Sequence, residues 1–186
     1  MVILVMQLNY IFGSMAPGGY AWMFPKENGA NIGVGIQRKF AKGKKLNELT
    51  NDFVNRYGND ITFTGAGSLP MSGTIETFVK GNYVLVGDSA GMVLPSNGAG
   101  ITIAMIGGRI AGQVISEHLK SGVPLSEYEF RWNKQMGRVM RNSKRAFNFG
   151  SYILRLPDWI INLIFNRFTK PFVWRSITCR NMFFFF

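Results

Sequence analysis

The sequence predicts an α/β protein of α+β character, with an antiparallel sheet first and helices after it. Three observations carry this. Short apolar or alternating runs, bounded by Gly, Pro and Asn, fill the chain up to Val86. Apolar residues at helical spacing dominate from about Gly98 onward. The 186 residues are 47% apolar and 14% aromatic, enough for a real core and incompatible with intrinsic disorder.

The elements follow in order. Met1–Phe12 (MVILVMQLNYIF) is apolar, has no basic leader or cleavage site, and is too short to span a bilayer; it suits a buried strand. Tyr20–Pro25 (YAWMFP) and Asn31–Ile36 (NIGVGI) flank Lys26–Ala30, whose Asn-Gly pair signals a hairpin. Leu46–Tyr57 sets Leu46, Leu49, Phe53 and Val54 on one helical face. Ile61–Leu69 reads as extended. Met71–Phe78 and Tyr83–Gly87 read as strands around Gly81-Asn82, and Tyr83–Val86 (YVLV) has the composition of a buried strand. An Ala- and Gly-rich helix runs from about Gly98 to Leu119 and stops at Ser121-Gly122. Leu125–Phe149 reads as one or two basic helices.

Composition excludes several chemistries. The single cysteine, Cys179, rules out an internal disulfide framework and a CxxC metal site. It lies outside every motif and reads as an incidental thiol. The single histidine, His118, argues against a His-based zinc site or a Ser/His/Asp triad. Near a helix end, its ordinary role is to complement the dipole.

Charge is uneven. Residues up to Gly100 hold eight basic and six acidic side chains, whereas those from Ile101 hold thirteen and four. Such a basic half suits an anionic partner or a solvated face. Its basic residues lie among Leu, Ile and Phe, and no nucleic-acid motif is present, so nucleic acid is not expected. Tyr152–Phe168 includes Arg155, Pro157, Asp158 and Arg167, which argues against a spanning helix. It reads as a core-packing helix or one lying in a membrane interface, with Trp159, Ile160, Leu163 and Ile164 buried. The chain ends in four phenylalanines, Phe183–Phe186, a run that soluble domains rarely leave exposed.

The chemically informative stretch is Tyr83–His118. Its strand delivers Asp88, whose carboxylate can accept hydrogen bonds from sugar-type hydroxyls. Gly91 and the loop Pro95–Gly100 (PSNGAG) let backbone approach a flat ligand. A helix opened by Gly98 and Gly100 presents free amides and partial positive charge to an anion. The bland alternative is a strand-turn-helix with a capping Asp, which explains fewer of these features together.

This stretch resembles the second flavin-binding motif of FAD-dependent oxidoreductases related to p-hydroxybenzoate hydroxylase. The matching residues are Gly87, Asp88, Ser89, Ala90, Gly91, Pro95, Gly98, Gly100 and Ile101. The resemblance implies that Asp88 holds a FAD ribityl or nearby hydroxyl. It also implies that the amides around Gly98, Ala99, Gly100 and Ile101 face the pyrimidine edge of the flavin ring. A second motif, Y-x-W-x-F-P, seven residues, then G-x-G, comprises Tyr20, Trp22, Phe24, Pro25, Gly33 and Gly35. It is similar to the substrate-domain signature of geranylgeranyl reductases, nearest in likeness to the archaeal branch that saturates membrane ether lipids. Tyr20, Trp22 and Phe24 share one strand face and could line an apolar tunnel for a prenyl chain. Taken alone, such a stripe more often packs a core.

The resemblance implies a p-hydroxybenzoate hydroxylase-like FAD-binding fold, of which this chain is the C-terminal part, with an antiparallel substrate-domain sheet and a helical tail. Residues 1–75 are expected in the substrate-binding sheet domain, 76–120 in the FAD-binding domain and 121–186 in a basic helical region. The implied reaction is reduction of geranylgeranyl double bonds in membrane lipid precursors, with FAD as cofactor and a prenylated lipid as substrate. A complete relative opens with a G-x-G-x-x-G strand-turn-helix, which is missing here; Gly33-x-Gly35 lies within a strand and opens no helix. The chain is therefore expected to be a fragment, a split-gene product or a truncated gene model, with another chain as a possible source of that half. The expected location is cytoplasmic and peripheral to a membrane surface. A flavin monooxygenase or halogenase, or a non-catalytic membrane-associating remnant, are the competing readings. No motif names the electron donor or a catalytic acid. Arg109 reads as a surface ion-pair residue or a phosphate contact, and Asn97 as a polar contact in the flavin-facing loop.

Overall fold

The computed structural model describes residues 9–58 and 60–161. They fall into two compact units. One comprises the described residues up to Gly65 with those from Gly150 onward, and the other is Ala66–Phe149.

The first unit is built on a three-stranded antiparallel sheet ordered β1-β2-β3. Its strands are β1 (Asn9–Ile11), β2 (Tyr20–Lys26) and β3 (Gly29–Gly35). Pairing of β2 with β3 runs from Tyr20↔Gly35 to Lys26↔Gly29, so the expected hairpin forms. Its turn is centred on Glu27 and Asn28, one residue before the Asn-Gly pair. Helix α1 (Leu46–Val54) packs on the sheet, with Leu49 and Phe53 buried against Ala16, Ala21 and Val34. The Glu48 carboxylate accepts from the Lys45 amide and covers one donor at the helix start.

The later residues of this unit are tied to the earlier ones. Asp158 accepts from the Ser14 amide and hydroxyl at 2.9 and 2.7 Å. The Gln37 amide donates to the hydroxyl of buried Ser151 at 3.0 Å. The Arg155 guanidinium lies 4.5 Å from the Phe40 ring centroid. Ile161 is buried in the protein while Trp159 is 69% exposed, so the two apolar side chains have different surroundings. Leu163, Ile164, Cys179 and Phe183–Phe186 lie outside the described residues.

The second unit is mainly helical. Helix α2 (Ile101–Ser121) ends at Gly122, whose φ of +72° suits a left-handed helix cap. Helix α3 (Glu127–Ile153) is a single 27-residue helix. Ile103, Ile110, Ala111 and Val114 of α2 meet Tyr128, Trp132, Met136 and Met140 of α3 in one core, with Phe78, Met92 and Leu94. The Tyr128 and Phe78 rings meet edge to face at 5.1 Å. Complete burial of side chains of this size stabilises by roughly 1.5–3 kcal/mol each. Glu129 accepts from the Phe78 and Val79 amides at 2.7 and 2.9 Å, anchoring the segment before the Gly-Asp turn.

Two expectations require correction. Met71–Phe78 is turn and irregular chain rather than strand. Strand β5 covers only Tyr83–Val84, paired with β4 (Val79–Lys80), and it is not buried: Tyr83 is 80% exposed and Leu85 40%. The cause is pairing. An apolar strand is buried only when neighbours flank it, and among the described residues β5 has β4 alone.

Candidate functional site

Two groups of motif residues take definite places, one in each unit. In the second, Val86 is extended and leads into a 3-10 turn, Gly87–Ala90, closed by Gly91 at φ +67°. The Gly91 and Met92 amides donate back to the Asp88 and Gly87 carbonyls at 3.0 and 2.9 Å. A Cβ on Gly91 would overlap the Gly73 carbonyl oxygen, so this glycine serves a close backbone approach as well as a left-handed turn. The Ile75 amide donates to the Ala90 carbonyl at 3.2 Å, pinning the same contact.

The following loop is braced from within and from α3. The Leu94 carbonyl accepts from the Gly98 amide at 2.8 Å, and the Leu94 amide donates to the Ala99 carbonyl at 2.9 Å. Asn97 Oδ1 accepts from the Ala99 amide at 3.0 Å, so its described role is to hold the loop. Ser143, fully buried on α3, accepts from the Ser96 amide at 3.0 Å, and its hydroxyl donates to Ser96 Oγ at 2.9 Å. Pro95 is buried, Gly98 sits at φ +75°, and Ala99 and Ile101 are exposed.

Helix α2 starts with no side-chain cap, leaving its first-turn amides without that partner. Asp88 is exposed beside this end: a methyl group on Gly100 would stand 3.7 Å from its Oδ1. The fold thus gathers an exposed carboxylate, an uncapped helix N-terminus and a loop almost free of large side chains. That combination fits an extended ligand carrying hydroxyl groups and an electron-rich edge.

In the first unit, Tyr20, Trp22 and Phe24 form a ring row on one face of β2, with centroid spacings of 5.9 and 6.3 Å. Phe12 extends it, 6.2 Å from Tyr20. The opposite face carries Ala21, Ile32 and Val34 into the α1 core. The aromatic row is therefore not that core, and its three β2 members stay half-buried. Gly33 faces Trp22 across the register, and a Cβ there would overlap the indole ring. Trp22 Nε1 donates to Asn31 Oδ1 at 2.6 Å, fixing the ring across β3. Gly35 lies opposite Tyr20, and Pro25 continues the strand.

His118 and Arg109 take structural or surface places. His118 Nδ1 lies 2.8 Å from the Val123 carbonyl, so it carries a hydrogen and donates to the chain just past α2. Arg109 is exposed and its Nη2 reaches Gln135 Oε1 at 3.5 Å. The described ion-pair cluster is elsewhere: Arg131 forks onto Glu117 at 2.8 and 2.7 Å and reaches Glu127 at 3.0 Å. The guanidinium holds the Glu117 carboxyl below its ordinary range. Burial pushes the Tyr128 phenol up to about 12. Among the described residues, no group of three or more His, Cys, Asp or Glu could hold a metal, and no helix is long and apolar enough to cross a membrane.

Sequence reasoning missed Ser143 and Gly73. Neither belongs to a local motif; each is identified only by its partner in space, Ser96 and Gly91.

The geranylgeranyl reductase catalytic domain, as a family model, matches residues 6–66. A digeranylgeranylglycerophospholipid reductase of Methanothermobacter thermautotrophicus is 38% identical over 157 residues, covering 81% of this chain and 40% of that protein. One from Methanococcoides burtonii is 39% identical, covering 72% and 35%. Among solved structures, a geranylgeranyl bacteriochlorophyll reductase-like protein of Thermoplasma acidophilum superposes with a TM-score of 0.71 at 25% identity, covering 84% of this chain and 41% of that one. Fold and motifs place the chain with proteins built on the α/β plan of that structure. The chain belongs to the geranylgeranyl reductase family and corresponds to the C-terminal part of its members. It spans about two fifths of the length of the first curated relative it matches.

Proposed function

We propose that this chain is the part of an FAD-dependent reductase that carries the prenyl-binding sheet and one wall of the flavin site, acting on geranylgeranyl chains of membrane ether-lipid precursors. The observation that carries the reading is the Tyr20–Trp22–Phe24 row, set on the sheet face away from the unit's own core. Planar rings at this spacing suit a long unsaturated hydrocarbon, which makes dispersion contacts along its length and needs no polar partner.

The residues around Asp88 fit FAD. Asp88 would accept from a ribityl-type hydroxyl, while Gly98, Ala99, Gly100 and Ile101 would present backbone amides to the ring edge, with Gly87, Gly91 and Pro95 shaping the turn. Reduced FAD, when bound, supplies the hydride for alkene reduction. The chain's own share is to position the ring edge, offer dipole stabilisation at α2, and hold the alkene out of water.

A second domain or chain, bearing the G-x-G-x-x-G element, completes the site. Support comes from the face of α2 opposite the core: Ile101, Met105, Gly108, Gly112, Ile115 and Leu119 recur at helical spacing and are all exposed. Tyr83 and Leu85 are exposed as well. The basic residues beyond Ile101 favour an anionic lipid surface, consistent with a peripheral cytoplasmic location.

The test is visible absorption of the purified chain mixed with FAD, alone and together with a polypeptide carrying the G-x-G-x-x-G element. Co-eluting flavin bands near ~450 nm in the mixture, followed by mass gain of a geranylgeranyl lipid under reducing conditions, are expected. Accumulation of a hydroperoxyflavin on oxygen exposure, without alkene saturation, would instead establish a monooxygenase.

A further inference from the structure

A cleft of about 320 Å³ lies in the second unit, between the 72–76 segment and α3. It is separate from the aromatic row and is not assigned by either motif. Among the described residues, two of its lining side chains carry buried polar atoms with no hydrogen-bond partner: Thr74 Oγ1 and Trp132 Nε1. Trp132 is fully buried, so its N–H has lost water without replacement. An indole N–H can only donate and a hydroxyl can donate, so the complementary group is an acceptor.

The same cleft is lined by Arg141 and Lys144, neither of which makes an ion pair among the described residues. Asn133, Gly137, Arg141 and Lys144 recur at i, i+4, i+8 and i+11, which puts them on one stripe of α3 beside Trp132. Gly137 leaves that stripe open, and a Cβ there would stand 3.1 Å from Arg141 Nη1. A Cβ on Gly73 would stand 3.7 Å from Lys144 Cδ, so the lysine stem runs along the facing wall. One carboxylate, Glu76, also lines the cleft, against two cations.

We propose that this cleft is a binding site for a phosphate group, with Trp132 and Thr74 as neutral donors and Arg141 and Lys144 as the cationic partners. A tetrahedral dianion offers enough oxygens for all four, whereas a carboxylate offers only two. The phosphate could belong to a free anion or soluble monoester, or to a lipid headgroup; the cleft chemistry is the same.

The experiment is calorimetric titration of the full chain with inorganic phosphate and with glycerol phosphate at constant ionic strength, acetate serving as comparator. In parallel, phosphatidylglycerol vesicles are tested for binding. Saturable phosphate binding is expected, with acetate at least ~10-fold weaker. R141Q and K144Q, both at exposed positions, should each weaken it by roughly tenfold, and E76Q should strengthen it. W132F and the near-isosteric T74V should weaken it ~3- to 10-fold with unchanged circular dichroism, and neither changes the charge. Soluble esters that bind in this variant-dependent way assign a soluble phosphate. Vesicle binding with the same dependence on Trp132 and Thr74, but no soluble binding, assigns a lipid headgroup. Binding indifferent to W132F and T74V, or no binding of any probe, overturns the proposal.

Discussion

The indole of Trp22 lies across Gly33, the residue paired with it on the neighbouring strand, and no side chain larger than hydrogen fits beneath the ring. The first glycine of the G-x-G is thus a packing requirement of the ring row, whereas a Cβ on Gly35 would meet only ordinary van der Waals contacts. Gly33→Ala should displace the indole, break its bond to Asn31 and cost ~1–3 kcal/mol through overpacking. The measurement is tryptophan fluorescence with thermal unfolding. An unchanged spectrum and melting temperature would refute the fit.

Gly91 combines a left-handed φ with a backbone approach to Gly73. Gly91→Ala should destabilise the second unit by roughly 2–4 kcal/mol, since left-handed strain and a clash with rigid backbone add. Urea unfolding followed by circular dichroism reads this directly.

Ser143 holds the Pro95–Gly98 loop from α3. Ser143→Ala should leave the Ser96 amide without its acceptor and cost about 1–2 kcal/mol. Amide hydrogen exchange should accelerate at Ser96 and its neighbours before the rest of the unit.

Asp88 is exposed and packs no core, so Asp88→Ala should leave the melting temperature nearly unchanged. On the flavin reading, it should weaken FAD binding by roughly tenfold in the completed protein, since it removes a charge-assisted acceptor. Flavin fluorescence titration separates the two effects.

The Arg131–Glu117 pair sets an acid limit. Because the folded state holds the Glu117 carboxyl below its ordinary range, its contribution is present at neutral pH and is lost as pH falls through the lowered folded-state value. Tyr128 acts at the other extreme. Its phenol is raised to about 12, so its contribution holds below the unfolded value near ~10 and is lost as pH climbs from there. Glu117→Gln should flatten the acid limb of a stability–pH curve and leave the alkaline limb in place.

Local pattern and tertiary context divide the molecule in a consistent way. The hairpin, α1, α2 and its stop at Gly122 were legible because each rests on contacts within a few residues: turn chemistry, helical spacing and a glycine cap. The Gly-Asp loop and the aromatic motif were legible because their residues are adjacent in sequence. The apolar runs at Met71–Phe78 and Tyr83–Val86 misled, because a strand exists only through its partners, and the run itself does not say which partners are there. Which face of the sheet meets α1, the aromatic row or the Ala21 side, was likewise not legible in the alternation. That was decided by the side of the sheet on which Leu49 and Phe53 dock. Turns, caps and helical spacing are thus local properties, readable along the chain. Only the tertiary structure joined Ser143 to Ser96, Gly73 to Gly91 and Trp132 to the cleft beside Arg141, because such contacts depend on how separate elements pack.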